Sequence, residues 1–242
     1  MRAYAKTDVG SKRAVNQDYM YCSENSVGSF HNLFIVADGM GGHKAGDYAS
    51  KLCVERMVQS IEKSEHKTPV SLFEEAVDTA NGAVYSESQE HEEYEGMGTT
   101  LVACTIQEDT LYVANIGDSR LYLLRDDDII QITEDHSLVE EMVKQGNITE
   151  SEARVHPQKN IITRAVGIDQ SVQADFFEVD IFQNDIVMLC SDGLSNMVED
   201  EDIEYIVKHS KSLQDAGETL VARANENGGS DNITVVLAKV SV

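Results

Sequence analysis

The sequence contains little proline and no pattern of cysteines that is typical of a disulfide or zinc framework. Only 2 of the 242 residues are proline, which argues against a long disordered linker. The cysteines, Cys22, Cys53, Cys104 and Cys190, are scattered without a Cys-x-x-Cys pair. Cys104 and Cys190 lie in apolar runs, where a free cysteine packs as a small hydrophobic residue. We therefore expect free thiols, as in a reducing compartment.

Long hydrophobic runs are also missing. The first ten residues contain no apolar signal segment, and no run approaches the length that crosses a bilayer. The sequence thus predicts a cytoplasmic protein without membrane insertion.

Basic residues are scarce. Lysine and arginine number 19 against 43 aspartates and glutamates, which gives a net charge of −24. Such a chain repels nucleic acid and anionic lipid, so both are excluded as general partners. An acidic protein can still bind phosphate where metal ions neutralise the site.

The chain alternates between strand-like and helix-like segments. Runs rich in Val, Ile, Leu and Thr predict strands at 33–37, 99–106, 110–116, 121–125, 129–133, 186–191 and 233–240. Three short loops, at 107–109, 117–119 and 126–128, separate consecutive runs and predict an antiparallel meander. Apolar periodicity predicts helices over 49–61, over 72–84 after a Ser71-x-x-Glu74 capping box, and over 213–224 before Gly228-Gly229.

These segments predict one α+β domain over 1–242, with helices covering the outer faces of antiparallel sheets. The more polar stretch 135–163 carries two short helical patterns, the second opening with Thr149-x-x-Glu152. We interpret this stretch, called the flap below, as a segment beside the active site that influences substrate choice. We expect a monomer.

Aspartate recurs where apolar strands end. Asp38 and Asp192 follow strands and precede glycine, Asp118 follows a third strand, and Asp231 precedes a fourth. One such residue is usually a turn former, because Asp-Gly is a common turn dipeptide. Four of them on a common rim would repel one another unless cations lay between them. Oxygen ligands without His or Cys indicate Mg²⁺ or Mn²⁺, and a pair of such ions can supply hydroxide near neutral pH.

The glycine-rich segment after Asp38 permits close approach of backbone to a metal or a phosphate. It lacks the Gly-Lys-Ser/Thr ending of a nucleotide-binding P-loop, so that interpretation is rejected.

A set of ordered motifs spans nearly the whole chain. They are Thr7-Asp8-x-Gly10, Arg13-x-x-Asn16-Gln17-Asp18, Val36-Ala37-Asp38-Gly39-Met40-Gly41-Gly42-His43, Gly96-Met97-Gly98-Thr99-Thr100, Ile116-Gly117-Asp118-Ser119-Arg120, Asp135-His136-Ser137, Ser191-Asp192-Gly193-Leu194 and Asp231-Asn232-Ile233-Thr234. With them the sequence resembles the metal-dependent Ser/Thr protein phosphatases of type 2C, most closely the bacterial single-domain branch.

The resemblance implies an α-β-β-α sandwich and a protein phosphatase that uses activated water without a phospho-enzyme. It implies that Asp38 bridges two Mn²⁺ or Mg²⁺ ions, with the Gly39 carbonyl on one of them and Asp192 and Asp231 on the other. It also implies a third ion at Asp118 and Asp192. The remaining implied roles are water held beside the metals by Asp18, phosphate binding by the planar guanidinium of Arg13, and general acid catalysis by His43. The implied partners are phosphorylated proteins and a cognate membrane Ser/Thr kinase.

Each residue also has a simpler interpretation. Arg13 could be a surface charge, Asp118 could close a hairpin, and Asp18 could cap a turn. Asn232 is expected to fix the Asp231 loop, and His43 could order its loop rather than donate a proton. Structural roles are also expected for the Thr99-Thr100 pair as strand residues, for 126–128 as a solvated turn and for 199–202 as a helix-start cluster.

The sequence departs from the family pattern at two positions. Gln17 stands where many members have Glu, and Met40 stands where the eukaryotic branch has His. Two other functions remain open: a binding or sensor module with an inactive metal site, and a metal-dependent hydrolase of nucleotides or small phosphoesters.

Overall fold

The computed structural model, which describes residues 1–41 and 45–240, has two antiparallel sheets at its centre. The strands are β1 (Arg2–Asp8), β2 (Asp18–Ser23), β3 (Leu33–Met40), β4 (Gly98–Thr99), β5 (Leu101–Gln107), β6 (Thr110–Ile116), β7 (Arg120–Arg125), β8 (Asp128–Gln131), β9 (Asp175–Asp180), β10 (Ile186–Cys190) and β11 (Ile233–Lys239). The first sheet has the order β1-β11-β10-β7-β8. The second has the order β2-β3-β5-β6-β9, with β4 paired to β3.

Helices cover the outer face of each sheet. The helices of the described residues are α1 (Ala45–Lys63), α2 (Pro69–Glu90), α3 (Leu138–Lys144), α4 (Glu150–Arg154), α5 (Asp192–Ser195), α6 (Asp200–His209) and α7 (Leu213–Glu226), with a 3₁₀ turn at Glu92–Tyr94. The apolar faces of α1 and α2 pack on the second sheet, and those of α6 and α7 pack on the first. A third apolar layer fills the space between the sheets. The predicted α-β-β-α sandwich is thereby confirmed.

The layer between the sheets changes from apolar to polar at one end. Phe34 and Val36 of β3 belong to this layer, and the two-residue period of a strand places Asp38 on the same face. The same period extends the layer from Met20 to Asp18 in β2 and from Val236 to Thr234 in β11. Polar side chains from both sheets therefore meet at this end.

The predicted end of the strand at residue 37 is wrong. Strand β3 continues to Met40, because Gly39 and Met40 pair with Thr99 and Gly98 of β4. Asp38 therefore lies inside a strand and directly opposite Asp18 of β2.

The predicted meander is also wrong. Strands β5 and β6 pair in the second sheet and β7 and β8 pair in the first, but β6 and β7 do not pair. The chain crosses between the sheets at Gly117, whose φ is +101°. Its amide donates to His136 Nδ1 at 3.0 Å and its carbonyl accepts from the His136 amide at 3.0 Å, so no strand ladder continues there. Asp118 follows in this crossover and does not close a hairpin.

Helix starts follow local chemistry. The Ser71 capping box is wrong: Thr68 is the N-cap, and Pro69 occupies the first turn, where a missing N–H costs nothing. The Thr149 capping box is confirmed, with both of its hydrogen bonds formed. Strands β1, β2 and β9 were not predicted, because they lie at sheet edges and are only partly buried, so their sequences mix apolar and polar residues.

Candidate metal centre

Five aspartates come together at the polar end of the space between the sheets. Asp18 and Asp38 belong to the second sheet. Asp192 is the first residue of α5 directly after β10, Asp231 precedes β11, and Asp118 lies in the crossover. The strand-end pattern thus predicted four of these residues correctly as neighbours, although they are divided between two sheets.

A cavity of about 250 Å³ opens beside four of them, whereas Asp18, which was predicted to hold water beside the metals, lies opposite Asp38 but does not line the cavity. Its lining residues are Arg13, Gln17, Asp38, Gly39, Met40, Gly41, Thr100, Asp118, Asn160, Ile162, Asp192, Asp231 and Asn232. The predicted site residues Arg13, Asp38, Gly39, Asp118, Asp192 and Asp231 are therefore in one place. His43, the predicted general acid, lies outside the described residues.

The carboxylates raise one another's pKa values. Burial, followed by the charges of the other four aspartates, raises the pKa of Asp38 well above its usual range. Burial raises the pKa of Asp18 to about 7, although the hydrogen bond from Ser191 opposes the shift. Burial and the Asp231 charge raise the pKa of Asp192 to about 6. For Asp118, the causes of a raised pKa are burial, Asp192 and Asp135, in that order.

The arrangement fits divalent cations. Within residues 1–41 and 45–240, one buried oxygen of Asp18 (Oδ1) and one of Asp192 (Oδ1) have no hydrogen-bond partner, which is costly for a buried carboxylate. All the carboxylate oxygens here are hard metal ligands. A bound cation would reduce the repulsion between the carboxylates and would contact the two unpaired oxygens. Among the described residues, no three His, Cys, Asp or Glu side chains already surround a single point. Ions here would therefore be shared by fewer carboxylates, with carbonyl oxygens and water completing the coordination, as is common for Mg²⁺.

Backbone and hydroxyl contacts hold Asp38 in place. The Asp38 amide donates to Thr100 Oγ1 at 2.9 Å, and the Asp38 carbonyl accepts from the Thr100 amide and from Thr99 Oγ1, each at 2.9 Å. Thr100 Oγ1 in turn contacts Ser119 Oγ at 2.7 Å, next to Asp118. The Thr99-Thr100 pair is thus strand structure, as expected, and it links the backbone of Asp38 to the crossover.

Gly39 sits where no side chain fits. A Cβ at this position would lie 1.9 Å from the Gly46 carbonyl oxygen and 2.7 Å from that of Gln17. Gln17 also packs against α1, since a Cβ on Gly46 would meet Gln17 Nε2 at 2.3 Å. The close packing of three backbone segments leaves the Gly39 peptide at the wall of the cavity.

The Arg13 loop is tied to Asp231. Arg13 Nη2 lies 2.7 Å from Asp231 Oδ2, and the Arg13 side chain is about half exposed. The neighbouring Asn232 donates from Nδ2 to the carbonyls of Val9 and Val15 at 2.9 and 3.0 Å, and its Oδ1 accepts from the Gln17 amide at 2.8 Å. Asn232 was expected to fix the Asp231 loop, whereas these contacts of its side chain fix the loop that carries Arg13.

The flap lies beside the cavity and is anchored by its first residues. Asn160 and Ile162 line the cavity. At the start of the flap, Asp135 accepts hydrogen bonds from Arg120 Nε and Nη2 at 2.9 and 2.7 Å. Arg120 also donates from Nη1 to the hydroxyl of the fully buried Tyr122 at 2.9 Å. The flap is thus linked to the strand that follows Asp118.

Several residues of the site were not singled out by sequence reasoning. Ser191, Ser119 and Arg120 occur in the quoted motifs, but no role was assigned to them. Their contacts join segments that are separated along the chain, and the signal that could have found them is their position one or two residues from a predicted metal aspartate.

Comparisons with known proteins identify the family to which the chain is similar. A family model described as Protein phosphatase 2C matches residues 10–238. The serine/threonine phosphatase stp of Listeria innocua is 40% identical over 247 residues, covering 99% of this chain and 96% of that protein. The crystal structure of the Mycobacterium tuberculosis serine/threonine phosphatase PstP/Ppp has a TM-score of 0.90 at 35% identity, covering 100% of this chain and 99% of that one. The catalytic domain of a serine/threonine protein phosphatase PstP in complex with 2 manganese ions has a TM-score of 0.87 at 34% identity, covering 99% and 98%.

Proposed function

The chain belongs to the protein phosphatase 2C family and is a serine/threonine phosphatase of that type, and we propose that it hydrolyses phosphoserine and phosphothreonine in proteins at the aspartate-lined cavity. The observation that carries this proposal is the convergence of five aspartates from two sheets, two of them with an unpaired buried oxygen, beside an arginine. The alternative of an inactive sensor module has no support, because the sequence retains every aspartate that the proposal assigns to the metals.

Asp38, Asp192, Asp231 and the Gly39 carbonyl would hold two Mn²⁺ or Mg²⁺ ions, and Asp118 with Asp192 would hold a third. When bound, such ions supply a water of lowered pKa and positive charge for phosphoryl oxygens. Oxygen-only ligands support Mn²⁺ and Mg²⁺ over softer metals.

The chain's own residues bind and orient the substrate. Arg13 stands at the cavity with its guanidinium beside Asp231, and its planar fork suits two phosphoryl oxygens. Asn232 keeps the Arg13 loop in position, and Asp18 would hold water close to Asp38. The proposed reaction is direct attack of water without a phospho-enzyme; in the described part of the chain, no cysteine is among the residues that line the cavity.

The biological setting is proposed on the family relationship. The catalytic unit would span 1–242, act as a cytoplasmic monomer and reverse phosphorylation by a membrane Ser/Thr kinase. Within the described residues, no helix combines the length and hydrophobicity needed to cross a membrane. The flap would influence which phosphoproteins are accepted, since Asn160 and Ile162 line the cavity.

The proposal is tested by hydrolysis of a phosphothreonine peptide with Mn²⁺, with a chelator, and with Asp38→Asn. We expect release only with metal, and a loss with Asp38→Asn of at least about two orders of magnitude, since even residues that only support a metal ligand contribute 10–100-fold. Asp169→Asn, on an exposed turn, is the matched control and should behave as wild type. Absence of hydrolysis with any divalent metal would refute the proposal. A nucleotide tested in parallel separates protein phosphatase activity from nucleotide hydrolysis.

A further inference from the structure

Ser191 joins the two walls of the aspartate cavity. It follows β10 of the first sheet, directly precedes Asp192, and is completely buried. Its Oγ lies 2.7 Å from Asp18 Oδ2, which belongs to β2 of the second sheet. The Ser191 hydroxyl therefore links Asp18 of the second sheet to the segment of the first sheet that carries Asp192.

The direction of these hydrogen bonds is determined by the backbone. The Thr234 amide can only donate, and it donates to Ser191 Oγ at 3.0 Å. The hydroxyl proton of Ser191 is then free to point to Asp18 Oδ2, since the alternative acceptor, the Asn232 carbonyl, is at 3.5 Å. Ser191 thus occupies one oxygen of Asp18 and leaves Oδ1 as the unpaired one.

A second contact fixes the backbone of Asp18. Its amide donates to Asn16 Oδ1 at 3.2 Å, and Asn16 Nδ2 donates to Thr7 Oγ1 at 2.8 Å. Thr7 Oγ1 lies 2.7 Å from Thr234 Oγ1, which closes a ring back to the residue that donates to Ser191. Asp18 is therefore held from both ends, and its side chain cannot rotate freely away from Asp38 opposite.

We propose that Ser191 is a positioning residue that orients Asp18 so that Oδ1 faces the cation site, and thereby sets the affinity of the site for divalent cations. This inference rests on the proposed function, because it concerns the same metal centre. Without the hydroxyl, the freed Oδ2 loses its donor and Asp18 can turn, so the water or cation contact at Oδ1 is no longer preorganised.

The test is calorimetric titration of chelator-stripped protein with Mn²⁺, which measures binding without catalysis. Ser191→Ala should weaken Mn²⁺ binding about 10- to 100-fold, the usual effect of losing a partner of a metal-site residue. Ser88→Ala is the matched control, because Ser88 is also buried and its Oγ donates at 2.8 Å to a carbonyl inside α2, far from the cavity. It should bind Mn²⁺ as wild type does.

The role of Asp18 is isolated by a double-mutant cycle. In an Asp18→Asn background, Ser191→Ala should change the Mn²⁺ affinity by less than about twofold, because the two residues act together. Should Ser191→Ala fail to fold, Ser191→Cys keeps the size of the side chain with a weaker donor and should also weaken binding.

Three results are distinguishable. Wild-type Mn²⁺ affinity in a folded Ser191→Ala or Ser191→Cys protein would overturn the inference and leave Ser191 a structural residue. The inference would also be overturned if Ser191→Ala lowered the Mn²⁺ affinity equally in the wild-type and Asp18→Asn backgrounds, because Ser191 would then act through another group. If the wild-type protein neither binds Mn²⁺ nor hydrolyses the phosphothreonine peptide, the proposed function itself is wrong.

Discussion

Replacing Asp192 by Asn should stabilise the metal-free fold while it removes activity. Asp192 Oδ2 accepts a hydrogen bond from Asn196 Nδ2 at 2.9 Å, and Oδ1 is unpaired among other carboxylates. In the variant, the amide oxygen can keep the Asn196 contact while the amide NH₂ donates to Asp38 or Asp231. Catalytic sites commonly cost stability in this way.

The magnitude follows from the raised pKa. A pKa of about 6 in place of 3.8 corresponds to about 3 kcal/mol between the two protonation states. Since the cavity is partly open to solvent, we expect a gain of roughly 1–3 kcal/mol at pH 8. For a chain of this size, each kcal/mol raises the Tm by about 2–4 °C. Thermal and urea unfolding in the presence of a chelator measure the gain.

The gain should depend on pH with a defined sign. Between pH 6 and 3.8 the folded wild type holds a proton at Asp192 that the unfolded chain does not, so metal-free wild type becomes more stable as the pH falls from 8 towards 5. The advantage of Asp192→Asn should therefore shrink over that range. With Mn²⁺ at about 1,000 times its Kd, the wild type gains about 4.1 kcal/mol, which exceeds the advantage of the variant, so the order of the two stabilities inverts.

Asp169→Asn serves as the control for a change of one charge on the surface. A destabilised Asp192→Asn protein at pH 8, or an advantage that is equal at pH 8 and pH 5, would refute the electrostatic reasoning.

Two further predictions concern the surroundings of the cavity. Arg120→Lys loses the two-point contact with Asp135. The variant should raise KM for a phosphopeptide several-fold, on the order of 1 kcal/mol in binding free energy, and should change KM for a small aryl phosphate little. Equal effects on KM for both substrates would contradict a role for the flap. Asn232→Ala loses three hydrogen bonds and should lower the free energy of unfolding, measured in urea, by roughly 3 kcal/mol. It should also raise KM, because the loop that carries Arg13 is released. An unchanged KM would show that Asn232 does not position Arg13.

The sequence predicted the buried strands well and the edge strands poorly. The segment 110–116 was predicted with its observed ends, because apolar residues on both faces make its pattern unambiguous. Strands β1, β2 and β9 have one edge without a neighbouring strand and are only partly buried, so selection for apolar residues is weaker there. The capping box at Thr149 is a purely local contact and was predicted, whereas at Thr68 the nearby Ser71-x-x-Glu74 pattern gave a false start.

The pairing of strands was beyond local reasoning. Short loops join β6 to β5 before it and to β7 after it, yet of these two neighbours only β5 pairs with β6, because the contacts of Gly117 with His136 turn the chain towards the other sheet. His136 is 19 residues further along the chain, and no pattern within the loop itself indicates that contact.

The sequence by itself predicted which aspartates come together, because strand-end carboxylates in ordered motifs predict a shared rim whatever the order of the strands. Only the tertiary structure decided how they are held. Asp18 opposes Asp38 through strand register, Ser191 reaches Asp18 from the other sheet, and Asn232 fixes the loop of Arg13. Asp18 and Ser191, for example, are 173 residues apart in the sequence. Chemical identity is a property of each residue, whereas preorganisation depends on which residues the fold brings within hydrogen-bonding distance.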